Sequence, residues 1–176
     1  MNAGKLGGFI KMTNIIAIDY SMATQSMDIF FSGCNMGKHC PGCHNAEAWD
    51  FNVGKDWKQW IFQINDNVKK FGPMIKRIFI LGGEPLDQDP QQFMLFMDAI
   101  KEYKKELWLF TRYELKDIEP EVRKKFDYIK TGPYKEELSS STHVCFNVRL
   151  ATTNQCIWKQ TMADKWVTDE SVQEVY

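Results

Sequence analysis

Strand-like apolar runs alternate with stretches of helical periodicity along most of this chain, and that alternation limits its possible folds more than any other feature. Met27-Asp28-Ile29-Phe30-Phe31 reads as a strand. From Lys55 to Phe71, the residues Trp57, Trp60, Ile61, Ile64 and Val68 recur at helical spacing. That spacing predicts an amphipathic helix, which Gly72-Pro73 stops. Arg77-Ile78-Phe79-Ile80-Leu81 is a continuous apolar strand. Asp89 can cap the next helix with Pro90 at its first position, and Phe93, Phe96, Met97 and Ile100 give it a buried face. A strand from Glu106 to Phe110, a short helix around Pro120 to Lys125 and the strand Phe126-Asp127-Tyr128-Ile129-Lys130 follow. This order predicts a mostly parallel sheet with right-handed crossovers.

The flanks are less regular. Ile15-Ile16-Ala17-Ile18-Asp19 reads as a short buried strand. Beyond Gly132-Pro133 the pattern weakens: Ser139-Ser140-Ser141-Thr142 is a polar loop, and Val144 to Leu150 and Gln155 to Lys159 are candidate closing strands. With 176 residues the chain suits one domain. A full eight-unit βα barrel takes about 200 residues or more, so a single-domain α/β fold with a partial, open barrel is expected. The glycine-rich start, residues 1–12, reads as a flexible extension ahead of a domain over 13–176.

Net charge is -1, which argues against an electrostatic grip on nucleic acid or an anionic membrane. No apolar stretch approaches the roughly 18 residues of a membrane span. Met1 to Lys11 lack the apolar centre of a signal peptide, so a cytoplasmic location is expected.

Three of the five cysteines, Cys34, Cys40 and Cys43, fall within one glycine-containing stretch straight after the strand that ends at Phe31. An odd, bunched set reads better as a metal site than as a disulfide framework. Thiolates are soft ligands that favour zinc, copper(I) or iron–sulfur clusters. The fourth ligand is absent locally. That leaves zinc completed by His39 or His44, or an iron–sulfur cluster with one iron open to a substrate. Parallel α/β folds bind ligands at the carboxyl ends of their strands. Gly82-Gly83-Glu84-Pro85 and Thr111-Arg112-Tyr113 occupy such ends, so the fold should bring them to the same rim as the cysteines. Glycines there let a ligand approach bare backbone, and Glu84 can hold an ammonium group. Arg112 has three readings, a partner for a substrate carboxylate, a contact for a partner protein or a solvated surface residue, of which the last is favoured. Cys145 and Cys156 read as buried small hydrophobes or a redox pair, and His143 as a surface or loop residue.

The stretch Gly33-Cys34 through Cys40-Pro41-Gly42-Cys43-His44-Asn45, followed by Trp49-Asp50, resembles the cluster loop of radical S-adenosylmethionine activases of glycyl radical enzymes. The likeness continues downstream. Leu81-Gly82-Gly83-Glu84-Pro85-Leu86 resembles that family's Gly-Gly-Glu-Pro segment, and Trp108-Leu109-Phe110-Thr111-Arg112-Tyr113 its Trp-x-Tyr-Thr-Gly-Tyr. Thr131-Gly132-Pro133-Tyr134 and Thr152-Thr153-Asn154-Gln155 are similar to later segments, in the family's order. This sequence departs from the pattern in three places. Its cysteines are spaced Cys-x5-Cys-x2-Cys where the family has Cys-x3-Cys-x2-Cys. Ser21 to Ser26 lacks Asp-Gly-Pro-Gly, and Arg112 replaces a glycine.

The resemblance implies a radical-SAM-type fold and an oxidoreductase. Cys34, Cys40 and Cys43 would hold three irons of a 4Fe–4S cluster, and S-adenosylmethionine would chelate the fourth. Reduction would release a 5′-deoxyadenosyl radical that abstracts hydrogen from a glycine of the partner, an anaerobic ribonucleotide reductase. A low-potential electron donor is the second implied partner. Gly82, Gly83 and Glu84 would bind the methionine amino end, with Gly42 and His44 flanking the adenosyl group and Thr111 and Asn154 completing the cofactor site. The alternatives are an activase of another glycyl radical enzyme, a small-molecule radical enzyme, or a zinc-stabilised binding module using His39.

Overall fold

A computed structural model describes residues 13–169 apart from positions 36, 38, 163 and 164. The extension expected over 1–12, and the chain's last residues from 170 on, lie outside the described residues. In chain order the elements are β1 (Asn14–Ser21), β2 (Ser26–Phe31), β3 (Lys55–Asp56), α1 (Trp57–Phe71), β4 (Arg77–Gly82), α2 (Pro90–Lys101) and β5 (Glu106–Phe110). Then come α3 (Pro120–Arg123), β6 (Tyr128–Thr131), β7 (Val144–Cys145), β8 (Val148–Arg149), β9 (Cys156–Met162) and β10 (Lys165–Thr168).

Eight strands form one sheet in the order β10-β9-β6-β5-β4-β2-β1-β3. That order has two free ends, so among the described residues the sheet is open and no barrel closes. The α/β class and the openness agree with the sequence. The expectation of a mostly parallel sheet does not hold. Only the centre, β2-β4-β5-β6, is parallel. The flanking pairs β1–β2, β1–β3, β6–β9 and β9–β10 are all antiparallel. On one flank a short turn folds β1 back on β2, with Gln25 at φ 51. β1 is correspondingly half-exposed rather than buried, because Ala17 and Asp19 point to solvent while Ile15 is enclosed.

The helices form where their caps and apolar spacing dictate. Asp56 accepts from Lys58 N at 3.0 Å and starts α1. Asp89 accepts from Gln92 N at 2.9 Å and starts α2, with Pro90 at its first position. Phe93, Phe96, Met97 and Ile100 are all buried and pack with Trp57 and Ile64 of α1 against Ile29, Phe31, Ile78, Ile80, Leu107, Leu109 and Ile129. Phe31 meets Phe96 edge-on at 5.2 Å. Each such side chain contributes about 1.5–3 kcal/mol by leaving water.

Strand residues one position out of phase point to the other face. There Asp28, Phe79, Trp108 and Tyr128 are successive register partners across the parallel strands. Two residues further along, Phe30 pairs with Leu81 and Phe110 with Lys130. The lower part of this face is covered by Cys145, Val148 and Leu150, and Ile157 of β9 extends the face beside Lys130. Of the two stretches expected as closing strands, 155–159 falls largely in β9, whereas 144–150 makes the separate β7–β8 hairpin, turned by Phe146 and Asn147 at φ 49 and 62. The upper part of the face stays open.

Candidate metal and cofactor site

The open part of that face is the floor of a cavity of about 280 Å³. Phe30, Leu81, Phe110 and Lys130 line it from the strands, and Cys34, Cys40 and Cys43 line it from the loop after β2. Gly82, Gly83, Glu84, Thr111 and Arg112 enter from the carboxyl ends of β4 and β5, and His44 and Gln155 also contribute. The convergence expected at one rim is therefore present. Asn154 does not line the cavity. Its Nδ2 donates to Pro133 O at 2.9 Å, and the neighbouring Gln155 faces the cavity in its place.

The first cysteine sits on a pinned backbone. Gly33 N donates to Ala48 O at 2.7 Å, Cys34 N to Trp49 O at 3.0 Å and Glu84 N to Gly33 O at 2.8 Å. Asn35 N donates to Asp87 Oδ2 at 2.6 Å. Gly83 makes this approach possible, since a Cβ there would stand 2.4 Å from Gly33 O and 2.8 Å from Ala48 O. Gly33 itself lies at φ +95 under the Phe51 ring. The glycines expected to bare backbone to a ligand thus first let two protein loops meet. Gly42, at φ +70, would place a Cβ 2.9 Å from Glu136 Oε2. His44 packs edge-on against Tyr134 at 4.7 Å.

Cys34 is buried, while Cys40 and Cys43 are half-buried. Burial pushes the Cys34 thiol up to about 11, partly opposed by the Arg112 cation. Among the described residues no three His, Cys, Asp or Glu side chains are gathered as a ready ion site. His39, the zinc candidate, stacks on Trp49 at 4.0 Å and has its Nε2 3.2 Å from Cys34 O. The donor chemistry nevertheless fits an iron–sulfur cluster: three thiols from one loop open on one cavity, and thiolates are the usual cluster ligands.

Behind the cysteines lies a charged network. Glu84 is buried and accepts from Thr111 Oγ1 at 2.7 Å, Arg112 N at 2.9 Å and Leu86 N at 3.1 Å. Burial still raises its carboxyl to about 7. Arg112 donates to Asp87 Oδ2 at 2.7 Å, and its Nε lies 3.8 Å from Glu84. Its side chain is only 11% exposed, so the solvated reading of Arg112 is corrected. The cause is chemical: two carboxylates follow β4, and a cation after β5 compensates them.

Lys130 was not singled out in the sequence. It is buried, donates to Gly132 O at 2.7 Å, and burial lowers its ammonium to about 8, with Glu84 and Cys40 pulling the other way. The available signal was a lysine inside a short strand that continues into a further buried threonine. Of the remaining candidates, Cys145 is buried, Cys156 is half-buried and His143 is half-buried with Nε2 3.0 Å from Gln155 O.

A family described as a 4Fe-4S single cluster domain matches residues 25–167, and the chain belongs to that family. The match spans the parallel centre of the sheet and all three cavity cysteines. Among individual proteins, the chain is similar to the anaerobic ribonucleoside-triphosphate reductase-activating protein of Enterobacteria phage T4, 27% identical over 142 residues, covering 76% of this chain and 83% of the relative. The protein of the same name from Escherichia coli K12 is 30% identical over 101 residues, covering 51% of this chain and 60% of the relative. No helix among the described residues is long and apolar enough to cross a membrane.

Proposed function

We propose that this chain is a radical S-adenosylmethionine activating enzyme that installs a glycyl radical on an anaerobic ribonucleotide reductase, drawing its electron from a low-potential donor. The observation that carries the reading is the meeting of Cys34, Cys40 and Cys43 with Gly82-Gly83-Glu84 and Thr111 around one cavity. The family match and the names of the relatives support it. The open sheet is read as a partial βα barrel of the radical-SAM type, with residues 13–176 as one catalytic domain.

In this reading Cys34, Cys40 and Cys43 hold a 4Fe–4S cluster. Gly82, Gly83 and Glu84 meet the amino end of S-adenosylmethionine, Gly42 and His44 flank its adenosyl group, and Thr111 and Asn154 steady the walls. When bound, the cluster and S-adenosylmethionine supply one-electron reductive cleavage of a sulfonium. The protein's own tasks are more modest. Its thiols must shed protons to ligate, which ties metal uptake to proton release. Both oxygens of Glu84 are already engaged, yet a carboxylate has about four acceptor sites and so keeps capacity for an ammonium. Phe30, Leu81 and Phe110 make an apolar floor that limits water, and Lys130 brings a cation to its edge.

The test is anaerobic reconstitution with iron and sulfide, then electron paramagnetic resonance of the reduced protein with and without S-adenosylmethionine. The expected result is a reduced 4Fe–4S signal that changes on adding S-adenosylmethionine. Zinc at one per chain with no cluster would overturn the reading.

A further inference from the structure

A second cavity, also of about 280 Å³, lies beyond the loop after β4 and is separate from the cysteine site. Its walls are mainly apolar, from Pro85, Leu86, Phe93, Ile118 and Val122. The volume admits one large side chain. Its polar features are few and one-sided. Gln88 lines it and is only 4% exposed. The Gln88 amide is oriented by two carbonyls, since Nε2 donates to Ser32 O at 2.7 Å and Glu84 O at 3.3 Å. Its Oε1 is buried and has no partner. That oxygen is enclosed, so Gln88 shapes the cavity wall rather than offering a contact. The charged residues of the lining are Asp117 and Glu119, both exposed, and no lysine or arginine lines the cavity.

We propose that this cavity docks a segment of the partner protein in which a large apolar side chain stands next to an arginine or lysine. The proposal rests on the reading that the chain acts on another protein. The apolar side chain fills the floor, and the cation lies against Asp117 and Glu119. Pocketed apolar anchors supply most interface energy, whereas rim charges chiefly select and steer the partner. The position suits such a role. Tyr113 lines the cavity and its hydroxyl donates to Asp87 Oδ1 at 2.5 Å. Asp87 in turn holds Asn35 N, next to Cys34, at 2.6 Å. Docking therefore takes place one side chain away from an anchor of the cysteine loop.

Two measurements test the proposal. In the first, methyl resonances of the full chain are followed while N-acetyl-Phe-Arg amide or N-acetyl-Phe-Glu amide is added. The arginine probe is expected to shift Leu86, Ile118 and Val122 saturably, with Kd of about 1 mM. The double variant Asp117→Lys, Glu119→Lys should weaken it about tenfold. Absence of a saturable shift, or equal binding of the glutamate probe, overturns the proposal. Glu119 precedes α3 without a side-chain capping bond, so the variant leaves that helix start intact. In the second, binding of the purified anaerobic ribonucleotide reductase from the same source is compared for wild type and double variant. Weaker binding by the variant, at unchanged iron content and unchanged S-adenosylmethionine cleavage with an artificial reductant, supports the proposal. Equal binding overturns it. A reductase that fails to bind the wild type overturns the partner assignment instead, and the peptide experiment then decides the cavity's chemistry on its own.

Discussion

Glu84 N donates to Gly33 O at 2.8 Å, so the loop after β4 is tied to the loop that begins the cysteine stretch. The contact depends on the residue before it. Gly83 has no side chain to hold the two backbones apart, and a methyl group there would overlap two carbonyl oxygens. Gly83→Ala should therefore cost about 2–3 kcal/mol of stability and lower the iron bound on reconstitution. Urea unfolding and iron analysis check both, and full stability in the variant would refute the pinning.

Arg112 is the main cation beside Asp87 and Glu84, and breaking a buried pair leaves charge uncompensated. Arg112→Ala should destabilise the protein by about 3–5 kcal/mol, with Arg112→Lys recovering part of the loss. A solvated arginine would give almost no change in thermal unfolding.

Two carboxyl groups make stability depend on pH. Burial raises Glu84 to about 7, and burial chiefly raises Asp28 to about 6. Each binds its proton more tightly in the folded chain than in the unfolded one. Their contribution is complete below the unfolded values near 4 and is lost as pH rises to about 7. Denaturant titrations of the apoprotein should show stability falling across that window. Asp28→Asn should flatten its lower part and Glu84→Gln its upper part. A curve that rises with pH, and does so equally in both variants, would contradict this assignment.

The three cavity thiols should differ in reactivity. Thiolates are the reacting species, and Cys34 is both buried and raised to about 11, whereas Cys40 and Cys43 are half-buried. Limited alkylation of the apoprotein under anaerobic conditions should modify Cys40 and Cys43 well before Cys34. Peptide mass spectrometry resolves the order.

The parts of this molecule that could be read in the sequence are those written locally. Asp89-Pro90 starts α2 because a cap and a first-turn proline act within one turn, and the buried face of α2 follows from spacing alone. The cysteine cluster and the two strand ends that join it needed only the rule that parallel strands present ligands at their carboxyl ends. What was hidden depends on distant partners. Arg112 looked solvated because Asp87, its ion-pair partner, lies 25 residues earlier. Asn154 and Gln155 are adjacent, and only the path of the loop after β8 decides which faces the cavity. The antiparallel flank β6–β9 joins strands separated by a weakly patterned segment, which carries no signal of its direction.

The anchoring of the cysteine loop also sets an order in time. Asn35 waits for Asp87, 52 residues later, and Glu84 for Thr111, 27 residues later again. On a ribosome that releases the chain from its amino end, the cysteines emerge long before the backbone that will hold Cys34 in place. The nascent loop is free to meet metal ions while its support is still unmade. The geometry of the cysteine loop is therefore completed only when β4, β5 and the residues that follow them have joined the sheet.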